Sequence, residues 1–198
     1  MTQLKKILFV ISFSGISFLA VIIFFSSFNW FALGSQAKYA LAAGSPVKTK
    51  LVKIDRLRIP AININIPLEQ VGLTTQGAVD VPRSPISAAW FNLGPRPGDN
   101  GSAVIVGHYG RWKNGLSGAF NNLSKLRQGD KIYIENAKGS TTIFVVRERK
   151  SYDPQADAYD VFNSDDDKPH LNLITCEGAW DKVSKSYSKR LVIFADKQ

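Results

Sequence analysis

The chain has 198 residues, a formal net charge of +9, 44% hydrophobic and 21% charged residues. That is globular composition, which excludes a disordered or low-complexity chain, and one domain is the default at this length. Acidic residues run through the same segments as basic ones, so the charge describes a mixed surface suited to an anionic environment. No nucleic-acid-binding module is recognisable in it.

The N-terminus reads first as a membrane segment. Lys5 and Lys6 precede "ILFVISFSGISFLAVIIFFSSFNWFAL", and no charged residue occurs between Lys6 and Lys38. A helix crosses a bilayer with about 20 apolar residues, and this run is longer. Lysines before it and Trp30 at its far end suit an N-terminus-inside orientation. The sequence predicts a cytoplasmic start and transmembrane anchor over 1–32, with the span itself at 7–31. A cleaved signal peptide, with "ALA" at 40–42 as its processing site, is the alternative; both readings export the remainder. Residues 33–50, rich in Ala, Gly, Ser and Lys, read as a linker.

From residue 51 to 198 the pattern is one of strands. "LVKIDRLRIPAININIP" alternates imperfectly, "VGLTTQGAVDVPRSP" is turn-rich, and "GPRPGDNG" (94–101) is a turn cluster. Ala103 to Val106 is an apolar run too short for a helix. "LSGAFNNLSKL" has room for one short helix. "KIYIEN" and "TTIFVVRERKSY" are further strands, followed by a polar loop over 151–169, long enough to suggest function. "HLNLITC" and "RLVIFAD" close the chain, with a loop expected over 177–189 between them. Many strands and little helix predict an all-β barrel or sandwich.

The chain has one cysteine, Cys176. It cannot form an internal disulfide, and an exported free thiol needs either burial or a use. Cys176 stands where an apolar strand gives way to "EGAW", a more exposed position than mid-strand; buried filler and nucleophile both remain open. A nucleophilic thiol needs a base or a cation beside it. His170 opens the same strand, on the same face but roughly 20 Å away if the strand is straight, which rules out a direct pair. His108, bracketed by glycines after the 103–106 strand, is either a loop histidine or the partner of Cys176. Antiparallel pairing of 170–176 with 190–196 brings Arg190 close to Cys176, as a surface arginine or as an oxyanion donor. Trp180 is either a groove wall or local packing.

Three pieces in this order and spacing resemble the sortases, membrane-anchored cysteine transpeptidases of mainly Gram-positive bacteria: "AVIVGH" with His108, "LNLITC" with Cys176 and "KRLVIFA" with Arg190. The likeness covers about residues 50–198 and the N-terminal apolar run. It implies an eight-stranded β-barrel with one or two short helices behind the transmembrane helix. By this resemblance Cys176 attacks the Thr–Gly bond of a Leu-Pro-x-Thr-Gly-like sorting signal. An amine from a peptidoglycan precursor or a pilin lysine then resolves the thioacyl enzyme. His108 is implied as acid and base, Arg190 as the holder of substrate and oxyanion, and Thr175, which precedes the nucleophile in the family motif, as a substrate contact; Trp180 is a candidate substrate contact from its place between Cys176 and Arg190. The loop 151–169 corresponds to much of the signal groove. The implied partners are sorting-signal-bearing surface proteins, the acceptor amine and the membrane, with the enzyme a single-pass monomer and its catalytic domain extracellular.

No cofactor is called for. Asp153, Asp157, Asp160 and Asp165–Asp167 lie in a loop where some sortases bind calcium. They lack EF-hand spacing and read as a solvated acidic loop, so no metal is expected. Two other functions remain open on sequence: an endopeptidase that resolves the thioacyl enzyme with water, and a non-catalytic anchored module with a structural cysteine.

Overall fold

The computed structural model describes residues 54–112 and 115–198. The expected transmembrane span and linker lie outside the described residues. Among the described residues no helix is long and apolar enough to cross a membrane.

Eight strands close into a barrel. They are β1 (Ile54–Ile59), β2 (Ile64–Val71), β3 (Ala88–Phe91), β4 (Gly101–Gly107), β5 (Lys131–Asn136), β6 (Thr141–Tyr152), β7 (Pro169–Asp181) and β8 (Ser186–Lys197). Their order around the barrel is β1-β2-β3-β4-β7-β8-β6-β5. The β2–β3 and β4–β7 pairs are parallel and the others antiparallel. Closure leaves no open edge along this ring, which removes the usual template for edge-to-edge association.

The interior follows from alternation. Leu57 and Ile59, Ala103 and Ile105, Ile132 and Ile134, Phe144 and Val146, Leu171 and Leu173, and Leu191 and Ile193 are successive i, i+2 pairs, all buried in one cluster. A second cluster lies on the outer face of the same wall. Val104 and Val106 of β4 and Val192 and Phe194 of β8 pack there with Val71, Ala89 and Val161. Strands β4 and β8 are therefore apolar on both faces, which explains why "AVIV" and "LVIF" show no alternation.

Three expectations about local structure are corrected. The helix expected in "LSGAFNNLSKL" is a single 3-10 turn, Leu123–Lys125. Phe120, Leu123 and Leu126 are buried in the barrel core, so this segment serves as a plug and tertiary packing decides its shape. The loop 151–169 is shorter than expected: Ser151 and Tyr152 belong to β6, and α1 (Tyr159–Phe162) forms within the loop. Buried Val161 pins α1 to the outer cluster. The loop expected over 177–189 is mostly strand. β7 runs on to Asp181, β8 begins at Ser186, and Trp180 pairs with Tyr187 across a two-stranded ribbon.

Candidate active site

Strand parity decides which side chains leave the core. Leu171 and Leu173 point into the barrel, so Asn172, Ile174 and Cys176 point out of it. On β8, Leu191, Ile193 and Ala195 point in, so Arg190 points out. Cys176 and Arg190 are direct partners in the β7–β8 register, and side chains opposite one another in an antiparallel pair lie about 5 Å apart at Cβ. On β4 the parallel register with β7 ends with Val106 beside Ile174. Cys176 lies two residues beyond Ile174, His108 follows the last residue of β4, and both line the groove on this outer face. Three adjacent strands thus deliver His108, Cys176 and Arg190 side by side.

The ladder is tied off where these residues leave it. Thr175 is buried and its Oγ1 donates to the Gly107 carbonyl at 2.8 Å. The main chain of His108 is held from behind: the Phe120 N–H donates to its carbonyl at 2.9 Å. Gly118 lies so close that an added Cβ would overlap that carbonyl. Past Cys176 the ribbon bulges between Glu177 and Trp180, with Gly178 at φ 85°. Such a left-handed residue turns the strand and re-aims the side chains beyond it.

A groove of about 1030 Å³ runs across this face. Val106, Val161, Ile174 and Val192 form an apolar floor next to His108, Cys176 and Arg190. One wall is the segment carrying Val79 and Val81, another the loop from Asp153 to Ala158, and the third the ribbon with Trp180 and Tyr187. Aromatic rings are packed around the polar residues. The His108 ring meets Trp112 edge-on at 4.9 Å between centroids, and Tyr187 meets Tyr109 at 5.2 Å and Trp180 at 5.0 Å.

Electrostatics differ for the three polar groups. Burial pushes the Cys176 thiol above its ordinary pKa, and the Arg190 charge works in the opposite direction without overcoming it. The neutral thiol is therefore the resting form at neutral pH. The Arg190 guanidinium is anchored to its own hairpin. Nη1 donates to the carbonyls of Tyr187 at 3.0 Å and Lys189 at 2.9 Å, and Nη2 donates to Ser186 Oγ at 3.0 Å. His108 Nε2 lies 2.7 Å from the Pro82 carbonyl oxygen.

A family model for the sortase domain matches residues 57–198. The chain belongs to the sortase family. Comparison with curated proteins finds no match. Among solved structures, sortase A from Corynebacterium diphtheriae (a lid mutant) is similar at 25% identity and a TM-score of 0.57, covering 73% of this chain and 69% of that one. Sortase C-1 from Actinomyces oris is similar at 21% identity and a TM-score of 0.57, covering 75% and 76%. Sortase C from Clostridium perfringens SM101 is similar at 21% identity and a TM-score of 0.53, covering 73% and 69%. The sortase barrel expected from the sequence is thus the observed fold.

All five residues singled out in this sortase from sequence, Cys176, His108, Arg190, Thr175 and Trp180, line the one groove. Thr175 contributes mainly as a tie between β4 and β7. His170 lies at the other end of β7, where Nδ1 is 2.7 Å from Asp196 and Nε2 is 2.7 Å from Asp166. Other carboxylates of the acidic loop also meet protein partners: Asp153 pairs with Lys189 at 2.5 Å, and Asp160 accepts from Tyr152 Oη at 2.7 Å. Sequence reasoning missed Tyr187, Trp112 and the segment around Pro82. A glycine-flanked His108 pointed toward Trp112 nearby, but nothing local marks Tyr187 or Pro82; the β7–β8 register and the fold of a turn-rich segment place them.

Proposed function

We propose that this groove is the active site of a cysteine transpeptidase that cleaves a Leu-Pro-x-Thr-Gly-like signal between Thr and Gly. The observation that carries the reading is the register pairing of Cys176 with Arg190, with His108 leaving the neighbouring ladder on the same face. The family's fold and the single cysteine are consistent with this chemistry. The Cys176 sulfur attacks the threonine carbonyl carbon, and its proton passes to His108. The tetrahedral oxyanion is met by Arg190. The guanidinium's bonds to its own hairpin use both Nη1 hydrogens and one on Nη2, which leaves Nε–H and the second Nη2–H to donate. Collapse breaks the C–N bond, and His108 protonates the leaving glycine amine. In the second half the incoming amine gives a proton to His108, attacks the thioester carbonyl and expels the Cys176 thiolate, which is reprotonated.

The apolar floor suits the Leu and Pro side chains of such a signal, and Trp180 and Thr175 border the place where its reacting end would lie. The acceptor is proposed to be a peptidoglycan-precursor or pilin amine. The protein is proposed to be held in the cell membrane by residues 7–31 with residues 33–198 outside. Incubation of the full chain with a sorting peptide should leave an acyl adduct on Cys176, detected by mass spectrometry. Added oligoglycine should convert that adduct to a transpeptidation product. A folded Cys176→Ala variant that still joined peptide to amine would refute the mechanism. Protection of the C-terminal domain from protease in intact spheroplasts would refute the topology.

A further inference from the structure

The His108 ring has a second partner shell that the three-residue mechanism does not use. A carbonyl oxygen only accepts, so the 2.7 Å approach of His108 Nε2 to the Pro82 carbonyl means that Nε2 carries a proton. In the neutral ring Nδ1 is then the basic nitrogen. The partner of one ring nitrogen fixes which nitrogen does the chemistry, and here that partner is a main-chain group. Its effect depends on how firmly residues 82–87 are held.

They are held by Glu69 of β2. Its Oε2 accepts from the Arg83 N–H at 3.1 Å, immediately after Pro82, and its Oε1 accepts a short hydrogen bond from Ser87 Oγ. Ser87 is buried, and its N–H donates to the Ser84 carbonyl at 3.3 Å, closing the turn. The same turn meets the support behind His108, since the Ala119 N–H donates to the Pro85 carbonyl at 2.8 Å. Burial acts to raise the Glu69 pKa, but the bonds from Ser87 and Arg83 outweigh it and the net displacement is downward. Glu69 is therefore ionised at neutral pH and accepts at both oxygens.

We propose that Glu69 is a positioning residue: through the Arg83 N–H and the Ser87 hydroxyl it clamps the Pro82 carbonyl on His108 Nε2, and so keeps Nδ1 as the nitrogen that exchanges protons at Cys176. The inference rests on His108 being the acid–base of the proposed transpeptidase. The tautomer it specifies is measured without any turnover.

The test uses the full chain solubilised in detergent and labelled with 15N-histidine; His108 and His170 are its two histidines. Long-range 1H–15N spectra at a pH where His108 is neutral should give the Nε2–H tautomer, with His170→Ala assigning the signals. Glu69→Ala should turn His108 into a tautomer mixture and lower kcat for a sorting peptide about tenfold or more, with KM little changed. Glu69→Gln, which retains one acceptor oxygen, should lie between, and Ser87→Ala should act in the same direction. If Glu69→Ala does not fold, Glu69→Gln and Ser87→Ala carry the comparison, and the wild-type tautomer stands as a test by itself. A wild-type His108 protonated at Nδ1 overturns the proposal. So does a variant that loses kcat with the tautomer unchanged, or one that loses the tautomer with kcat unchanged. A Glu69-dependent Nε2–H tautomer in a chain inactive on every sorting peptide and acceptor would instead refute the transpeptidase function itself.

Discussion

Arg190 and Cys176 illustrate how two neighbours acquire different chemistry from one register pair. The thiol is half-buried, and the burial that raises its pKa outweighs the adjacent positive charge. Its ionised fraction should therefore keep growing beyond the ordinary thiol range. Alkylation of Cys176 by iodoacetamide should still be accelerating above pH 9, and a plateau below pH 8 would contradict the direction of the shift. Arg190→Ala removes two things: the proposed oxyanion donor, and three hydrogen bonds within the ribbon's base, two to carbonyls and one to Ser186 Oγ. Losing one such donor lowers rates by roughly a hundredfold to a thousandfold. Arg190→Lys should recover little, because an ammonium cannot keep two carbonyls and Ser186 Oγ engaged while presenting a planar fork to substrate. Steady-state assays of both variants, with circular dichroism to check folding, decide this. At this scale the borders of apolar runs drew attention to His108, Cys176 and Arg190 but left their roles open; the resemblance to the sortases implied those roles, and the fold brings the three into one groove. Tyr187 and Pro82 were not legible in the sequence, because their proximity depends on backbone paths with no signature in residue type.

At the scale of elements, alternation exposed most strands but not where they end. "EGAWD" carries no apolar face because the β7–β8 ribbon beyond Cys176 leaves the core. It is held by pairing and by aromatic contact between Trp180 and Tyr187 instead. A pattern that looks for burial reads such a ribbon as loop. The plug around Phe120 was misread for the opposite reason: its buried residues fall near helical spacing while Gly118, Asn121 and Asn122 prevent a helix. The plug also explains a sensitivity that lies away from the groove's chemistry. Gly118 backs directly on the His108 carbonyl, so Gly118→Ala must push the His108 main chain toward the groove. Its expected outcome is a loss of kcat that exceeds any loss of stability. A variant with wild-type kcat and an unchanged melting temperature would show that the loop yields instead.

For the whole molecule, the two ends of β7 divide the work. One end carries Cys176; at the other His170 joins β8, through Asp196, to the acidic loop, through Asp166. Asp196 also pairs with Arg147 of β6 at 3.2 Å, so this clasp links three barrel strands, β6, β7 and β8, to the segment that carries α1 and the groove's wall. The His170 contact holds the Asp166 carboxyl below its ordinary pKa. A depressed carboxylate contributes where it is ionised, above the unfolded value near 4, and its contribution is lost as pH falls through the lower folded value. Acidification below about pH 4 should therefore loosen residues 163–168 before the barrel, seen as faster amide hydrogen exchange there with β7 and β8 still protected. Asp166→Asn should produce the same local loosening at neutral pH. Simultaneous loss of protection across the barrel would contradict a local clasp.

The parallel pairing of β4 with β7 has a consequence in time as well as in space. Thr175 and Gly107, which tie the two ladders together, are 68 residues apart in sequence, and the segment between them contains β5, β6 and the acidic loop. Closing so long a stretch is entropically costly, and folds dominated by such contacts form slowly, on the order of milliseconds to seconds. Until that closure His108 and Cys176 are far apart in the collapsing chain, whereas Arg190 reaches Cys176 through the local β7–β8 hairpin. The groove that holds Cys176, His108 and Arg190 together is completed by the step that unites the barrel wall, so acyl transfer, unlike simple alkylation of the thiol, is the activity expected to report that folding is complete.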